Sequence, residues 1–123
     1  MEYSQLDEFG KEFKKLLKKY RTLAEDFELF KERILSYREN GNGKFLFWHA
    51  PGIVRISDLR IETELYKVKH FTCKGLKGKG SRSGIRIVYA YFPDQDKVEF
   101  VEIYYKEQDS TDCDRGRIKH YYK

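Results

Sequence analysis

Residues 83–106 read SGIRIVYAYFPDQDKVEFVEIYYK, two runs of β-branched and aromatic residues on either side of a turn rich in Pro93, Asp94 and Asp96. Such runs suit a pleated surface and the interruption suits a turn, so the stretch is expected to form a β-hairpin at the heart of a sheet. Apolar residues occupy odd and even positions in both runs, the mark of strands covered on both faces. Even positions carry Arg86, Val88 and Ala90, then Phe100, Glu102, Tyr104 and Lys106; odd positions carry Ile87, Tyr89 and Tyr91, then Val101, Ile103 and Tyr105. One face should be apolar and the other should carry charge beside small residues.

A third strand is expected from about Glu62, with Leu65, Lys67, Lys69, Phe71 and Cys73 pointing one way and Tyr66, Val68, His70 and Thr72 the other. The loop KGLKGKGSRSG follows. It is not a nucleotide-binding P-loop, because Gly80 follows Lys79 where Ser or Thr is needed, and because the loop lies between strands. From Tyr66 to Arg86 there are seven basic side chains, Lys67, Lys69, Lys74, Lys77, Lys79, Arg82 and Arg86, and no acid. A basic run beside aromatic residues fits a phosphate-rich partner, since Lys and Arg displace counterions from a nucleic-acid backbone. A solvated loop is the plainer alternative.

Upstream, the period is helical. Leu6, Phe9, Phe13, Leu16, Leu17 and Tyr20 make one apolar stripe, with Ser4 and Asp7 as a candidate cap. Thr22 and Glu25 signal a second start, followed by Leu23, Phe27, Phe30, Ile34 and Tyr37 and a stop at Asn40-Gly41-Asn42-Gly43. Residues 44–61 read as irregular, with Ile53–Ile56 a candidate short strand and His49 a structural or surface histidine. Met1–Tyr3 is another candidate strand, and RGRIKHYYK at the C-terminus a short helix or tail weakened by Gly116.

A chain of 123 residues makes one domain, 1–123, able to bury a core without disulfides or metals. Cys73 and Cys113 match no zinc or redox spacing and no signal peptide precedes them, so reduced thiols in a soluble, cytoplasmic protein are expected. No apolar run approaches the roughly 20 residues of a membrane span. Helices followed by strands predict an α+β fold: two N-terminal helices on one face of a small antiparallel sheet, received by Val68, Ile87, Tyr89, Val101 and Ile103, with the other face free for function.

On that free face Lys67, Lys69, Arg86, Glu102, Tyr104 and Lys106 should converge if the strands pair as neighbours. Cleaving RNA without metal needs a base for the 2′-hydroxyl proton, cations for the charge growing on phosphate, and an acid for the leaving oxygen. Arg86 suits the phosphate through its planar fork, and Lys67 or Lys69 as point charges. Glu102, or a lysine depressed by its neighbours, is a candidate base; the alternative is that Glu102 pairs with Arg86 or a lysine across the sheet.

The helix pair with KKLLKKY and LAEDFELF, then YKVK, SGIRIVY and FVEIYYK in that order and spacing, resembles the RelE/ParE superfamily of bacterial toxins, including RelE-like and HigB-like members. The resemblance implies a small sheet with two N-terminal helices on one side, and an mRNA-cleaving, ribosome-dependent endoribonuclease. It also implies no metal or other cofactor and a cognate antitoxin as partner. Lys67 and Lys69 match the paired lysines near the scissile phosphate and Arg86 the arginine of the SG-x-R motif; Lys106 and Tyr104 would line the site, and Lys74, Lys77, Lys79 and Arg82 would bind RNA. Glu107 stands where such enzymes carry a basic residue. Cys113 falls near the place of their C-terminal tyrosine, which Tyr121 or Tyr122 would replace if the tail folds back. ParE-like relatives instead block DNA gyrase, and a basic RNA-binding module without catalysis is the third alternative.

Overall fold

A computed structural model describes residues 2–32, 52–69, 71, 84–106 and 112–122. The expectations for Ile34, Tyr37, residues 40–43 and 44–51, His49, His70, Cys73, Lys74, Lys77, Lys79, Arg82 and Glu107 lie outside the described residues.

The hairpin forms as expected, with β4 at Ile85–Phe92 and β5 at Lys97–Tyr105. Its turn is a single 3-10 turn, Pro93–Gln95, closed by Asp96 in the left-handed region at φ 48°. Proline suits the first position of such a turn because the amide it lacks would have no partner there, and aspartate tolerates the left-handed geometry. Gly84 leads into β4 at φ 86°, and a Cβ there would meet the Tyr105 ring at 2.9 Å. Only glycine fits both demands.

Three further strands complete the sheet: β1 at Glu2–Gln5, β2 at Ile53–Arg55 and β3 at Glu64–Val68. The spatial order is β1-β5-β4-β3-β2, which puts β4 in the centre. Four of the strands are antiparallel neighbours, but β1 runs parallel to β5, pairing Glu2 with Lys97 and Gln5 with Phe100. The sheet is therefore mixed rather than wholly antiparallel.

On one face lie α1, Asp7–Lys19, and α2, Leu23–Phe30. Their stripes deliver Phe9, Leu23, Phe27 and Phe30 onto Ile87, Tyr89, Phe100 and Ile103. The rings of Phe9, Phe27 and Phe100 pack mutually, with centroids 4.8 to 5.7 Å apart, the range in which edge and offset contacts add to area burial. Ser4 does not cap α1: it belongs to β1 and donates its hydroxyl to Glu99 at 3.2 Å, while Leu6 precedes the helix and Asp7 and Glu8 supply first-turn acid. Thr22 does precede α2, but its hydroxyl donates to Asp26 rather than serving the backbone. Phe71 also departs from the expected alternation. β3 ends at Val68, so the period of two no longer binds Phe71, and its ring joins the helix-side core against Phe30 at 5.7 Å.

The second face is not free. The C-terminal segment folds as α3, Arg115–Tyr122, and packs Ile118 and Cys113 against Leu65, Val88, Ala90 and Val101. Gly116 lies at an exposed position of the first turn of α3 and does not prevent the helix. No described helix is long and apolar enough to cross a membrane.

Candidate nucleic-acid interface

The α3 face depends on an irregularity in β5. From Ile85 to Val88 the register pairs Arg86 with Tyr104 and Val88 with Glu102; from Tyr89 onward it pairs Tyr89 with Phe100 and Ala90 with Glu99. Val101 is the extra residue of a β-bulge, and the bulge turns two consecutive side chains, Val101 and Glu102, toward α3. Phe100 is thereby moved to the α1 and α2 side and Val101 away from it, the reverse of the expectation from odd and even numbering. The signal was in the sequence: Val98-Glu99-Phe100 is followed at once by Val101-Glu102-Ile103, so the apolar alternation slips phase between Phe100 and Val101.

Glu102 is 7% exposed and accepts the Asp114 N–H at 2.7 Å. Asp114 in turn accepts the Arg117 N–H at 3.0 Å, the arrangement of an N-cap, so Glu102 fixes the start of α3 from the strand beneath. Burial raises its carboxyl from 4.5 to about 6; the charges of Glu12 and Asp114 add to this, while the Asp114 amide and Arg117 oppose it. Neither expectation for Glu102, an available base or a partner of Arg86 or a lysine across the sheet, describes this arrangement.

The other predicted residues do share the face. The register aligns Lys67, Val88 and Glu102 in one cross-strand row and Arg86 with Tyr104 in the next. Continued past the end of β3, that register sets Lys69 on the Arg86 row; the Lys69 backbone N–H still bonds Gly52 at 2.6 Å. Lys106, whose N–H bonds the Gly84 carbonyl at 2.8 Å, lies one row further. Among the described residues Lys69, Arg86 and Lys106 have no carboxylate partner, and the Arg86 guanidinium donates only to the Ile85 carbonyl at 3.3 Å. Tyr104 is half-buried beside them. Burial raises its phenol well above the usual range, as do the nearby Cys113, Asp112 and Glu102, against the charge of Arg86.

Lys67 is different. It is held at 2.9 Å by Asp112, which also bonds Arg115, and Arg115 reaches Asp58 at 3.0 Å. Although burial works against ionisation, the hydrogen bonds from Arg115 and Lys67 hold the Asp112 carboxyl well below the usual carboxylate range. These groups border an open cleft of about 250 Å³ between β2, β3 and the start of α3, lined by Val54, Arg55, Ile56, Ser57, Asp58, Lys67, Lys69 and Arg115. Sequence reasoning missed Arg115, Asp112 and Asp58, which become neighbours of Lys67 only when the tail folds back.

The tail residues weighed as substitutes for a catalytic tyrosine have other work. Tyr121 donates to Glu8 at 2.8 Å and Tyr122 to Glu99 at 2.6 Å, the latter with its ring near Phe92 at the far end of β4 from Arg86. Cys113 is a buried free thiol, raised to about 11 by burial first and by Asp112. Among the described residues no group of three or more His, Cys, Asp or Glu side chains is arranged to hold a metal ion. No protein-family model matches the chain, and no curated protein matches it.

Proposed function

We propose that this domain is the toxin of a toxin–antitoxin pair in the cytoplasm, an endoribonuclease of the RelE-like kind that cuts mRNA on the ribosome. The observation that carries the reading is the set of three cations, Lys69, Arg86 and Lys106, that have no carboxylate partner among the described residues and share one face beside Tyr104. In the reaction the 2′-oxygen bonds to phosphorus and gives its proton to water, as the bond from phosphorus to the 5′-oxygen breaks and that oxygen takes a proton from water; negative charge grows meanwhile on the phosphate oxygens. Arg86 and Lys69 answer that charge, Tyr104 offers a ring for a base to stack on, and Lys106 draws the strand across β5. Glu102 is committed to α3 and is left out of the chemistry. An antitoxin that covers this face would silence it by occupying the same cations.

Primer extension on mRNA in a translating extract tests the reading, with wild type and Arg86→Ala run together. Codon-registered cuts by wild type alone are expected; equal cutting by the variant would refute the assignment of Arg86. The burial of Glu102 favours one second reading, RNA binding without cleavage, and salt-dependent binding with no cut product would select it.

A further inference from the structure

The cleft between β2, β3 and α3 carries four cationic side chains, Arg55, Lys67, Lys69 and Arg115, against one lining carboxylate, Asp58. Asp112 bridges two of these cations, one oxygen toward Lys67 and the other toward Arg115. A carboxylate spanning an ammonium and a guanidinium presents two oxygens as a phosphate group does. Asp112 lies just outside α3 and its side chain is 40% exposed, so an anion arriving from solvent meets the same cations. Asp58, lining the cleft and 58% exposed, takes the Arg115 Nε and no other cation among the described residues.

We propose that this cleft is a phosphate-binding site and that Asp112 is its built-in competitor, holding Lys67 and Arg115 together until a phosphate replaces it. The proposal deepens the RNA reading above by adding Arg115 and Arg55 to the surface an RNA backbone would meet, and it rests on that reading only for the source of the phosphate. Asp112 then sets a threshold: a weak or singly charged anion does not displace it, whereas a chain of phosphates does. Replacing it by asparagine keeps the oxygen that accepts the Cys113 N–H at 2.8 Å while removing the charge.

The test titrates inorganic pyrophosphate into wild type, Asp112→Asn and the double variant Lys67→Met/Asp112→Asn, following the Arg115 Nε resonance by NMR in all three and the Lys67 Nζ resonance in the two that keep Lys67. Wild type should show saturable shifts at both groups. Asp112→Asn should bind about tenfold tighter, as expected for one released charge-assisted contact, and the double variant should lose that gain. Absence of shifts in wild type overturns the proposal, as does an Asp112→Asn protein with native Ile118 methyl signals that binds no tighter. Pyrophosphate binding is independent of any cleavage, so loss of the enzymatic reading leaves this result standing, and the reverse holds. A parallel titration with a 2′-O-methyl RNA oligonucleotide assigns the source: a matching gain at Asp112→Asn identifies RNA phosphodiesters, and a gain with pyrophosphate alone identifies a free phosphate group.

Discussion

The two faces of the sheet are built from different materials. Under α1 and α2 the contacts are rings and branched aliphatics, with Phe9, Phe27, Phe100 and Tyr89 largely or wholly out of water. Under α3 the buried floor, Leu65, Val88, Ala90 and Val101, is aliphatic and holds no ring among the described residues, and the helix is held at its margins by polar groups. Arg117 forks onto Glu12 at 2.9 Å and bonds the Val101 carbonyl at 2.8 Å; Tyr121 and Tyr122 reach Glu8 and Glu99. Nondirectional burial makes the first face dependable under most conditions, whereas bonds between charges make the second depend on pH and salt.

The largest expected effect attacks the ring cluster. Phe100→Ala should cost about 3–5 kcal/mol by removing a ring that Phe9, Phe27 and Tyr3 all contact, read as a fall in the urea midpoint. If the loss were under about 1 kcal/mol, the contrast between the faces would be wrong. Next, Arg117→Ala should cost about 2 kcal/mol, because it leaves Glu12 and the Val101 carbonyl without their charged donor. Hydrogen exchange should show protection lost in α3 while β4 amides keep theirs. Uniform loss across both regions would mean that α3 is not a separable layer.

The smallest effect is a pH dependence. Glu102 binds its proton more tightly in the folded protein, near 6, than in the unfolded chain, near 4.5. Its contribution is therefore fully present below 4.5 and is lost as pH rises through 6, a change of about 2 kcal/mol at most. Glu102→Gln, which keeps an acceptor for the Asp114 amide, should flatten the urea midpoint across that interval. An unchanged pH profile would show that Glu102 is better solvated than its burial indicates.

Most of the architecture was legible because local pattern carried it: the hairpin, the two stripes over Leu6–Tyr20 and Leu23–Phe30, and the basic face of β3 all follow from periods of two or near four. What escaped notice is what local pattern does not encode. Ser4 fits a cap signature as well as a strand, and only the pairing of β1 with β5 decides between them. The bulge at Val101 overturned the odd and even assignment of half a strand. The tail RGRIKHYYK has little apolar periodicity, yet Ile118 and the ring of Tyr122 suffice to dock it once four glutamates, Glu8, Glu12, Glu99 and Glu102, line the route. Lys67 was placed on the right face, and its neutralising partner stood 45 residues away.

The pairing of β1 with β5 joins residues 95 apart in sequence. Loop-closure entropy opposes so distant a contact until intervening structure has shortened the path, so this edge should be the last part of the sheet to form. During synthesis residues 2–5 must wait until β5 has been made, and the β5 edge stays open as a template for wrong partners meanwhile. Completion of the sheet thus waits on four residues, 2–5, whose partners lie 95 positions further along.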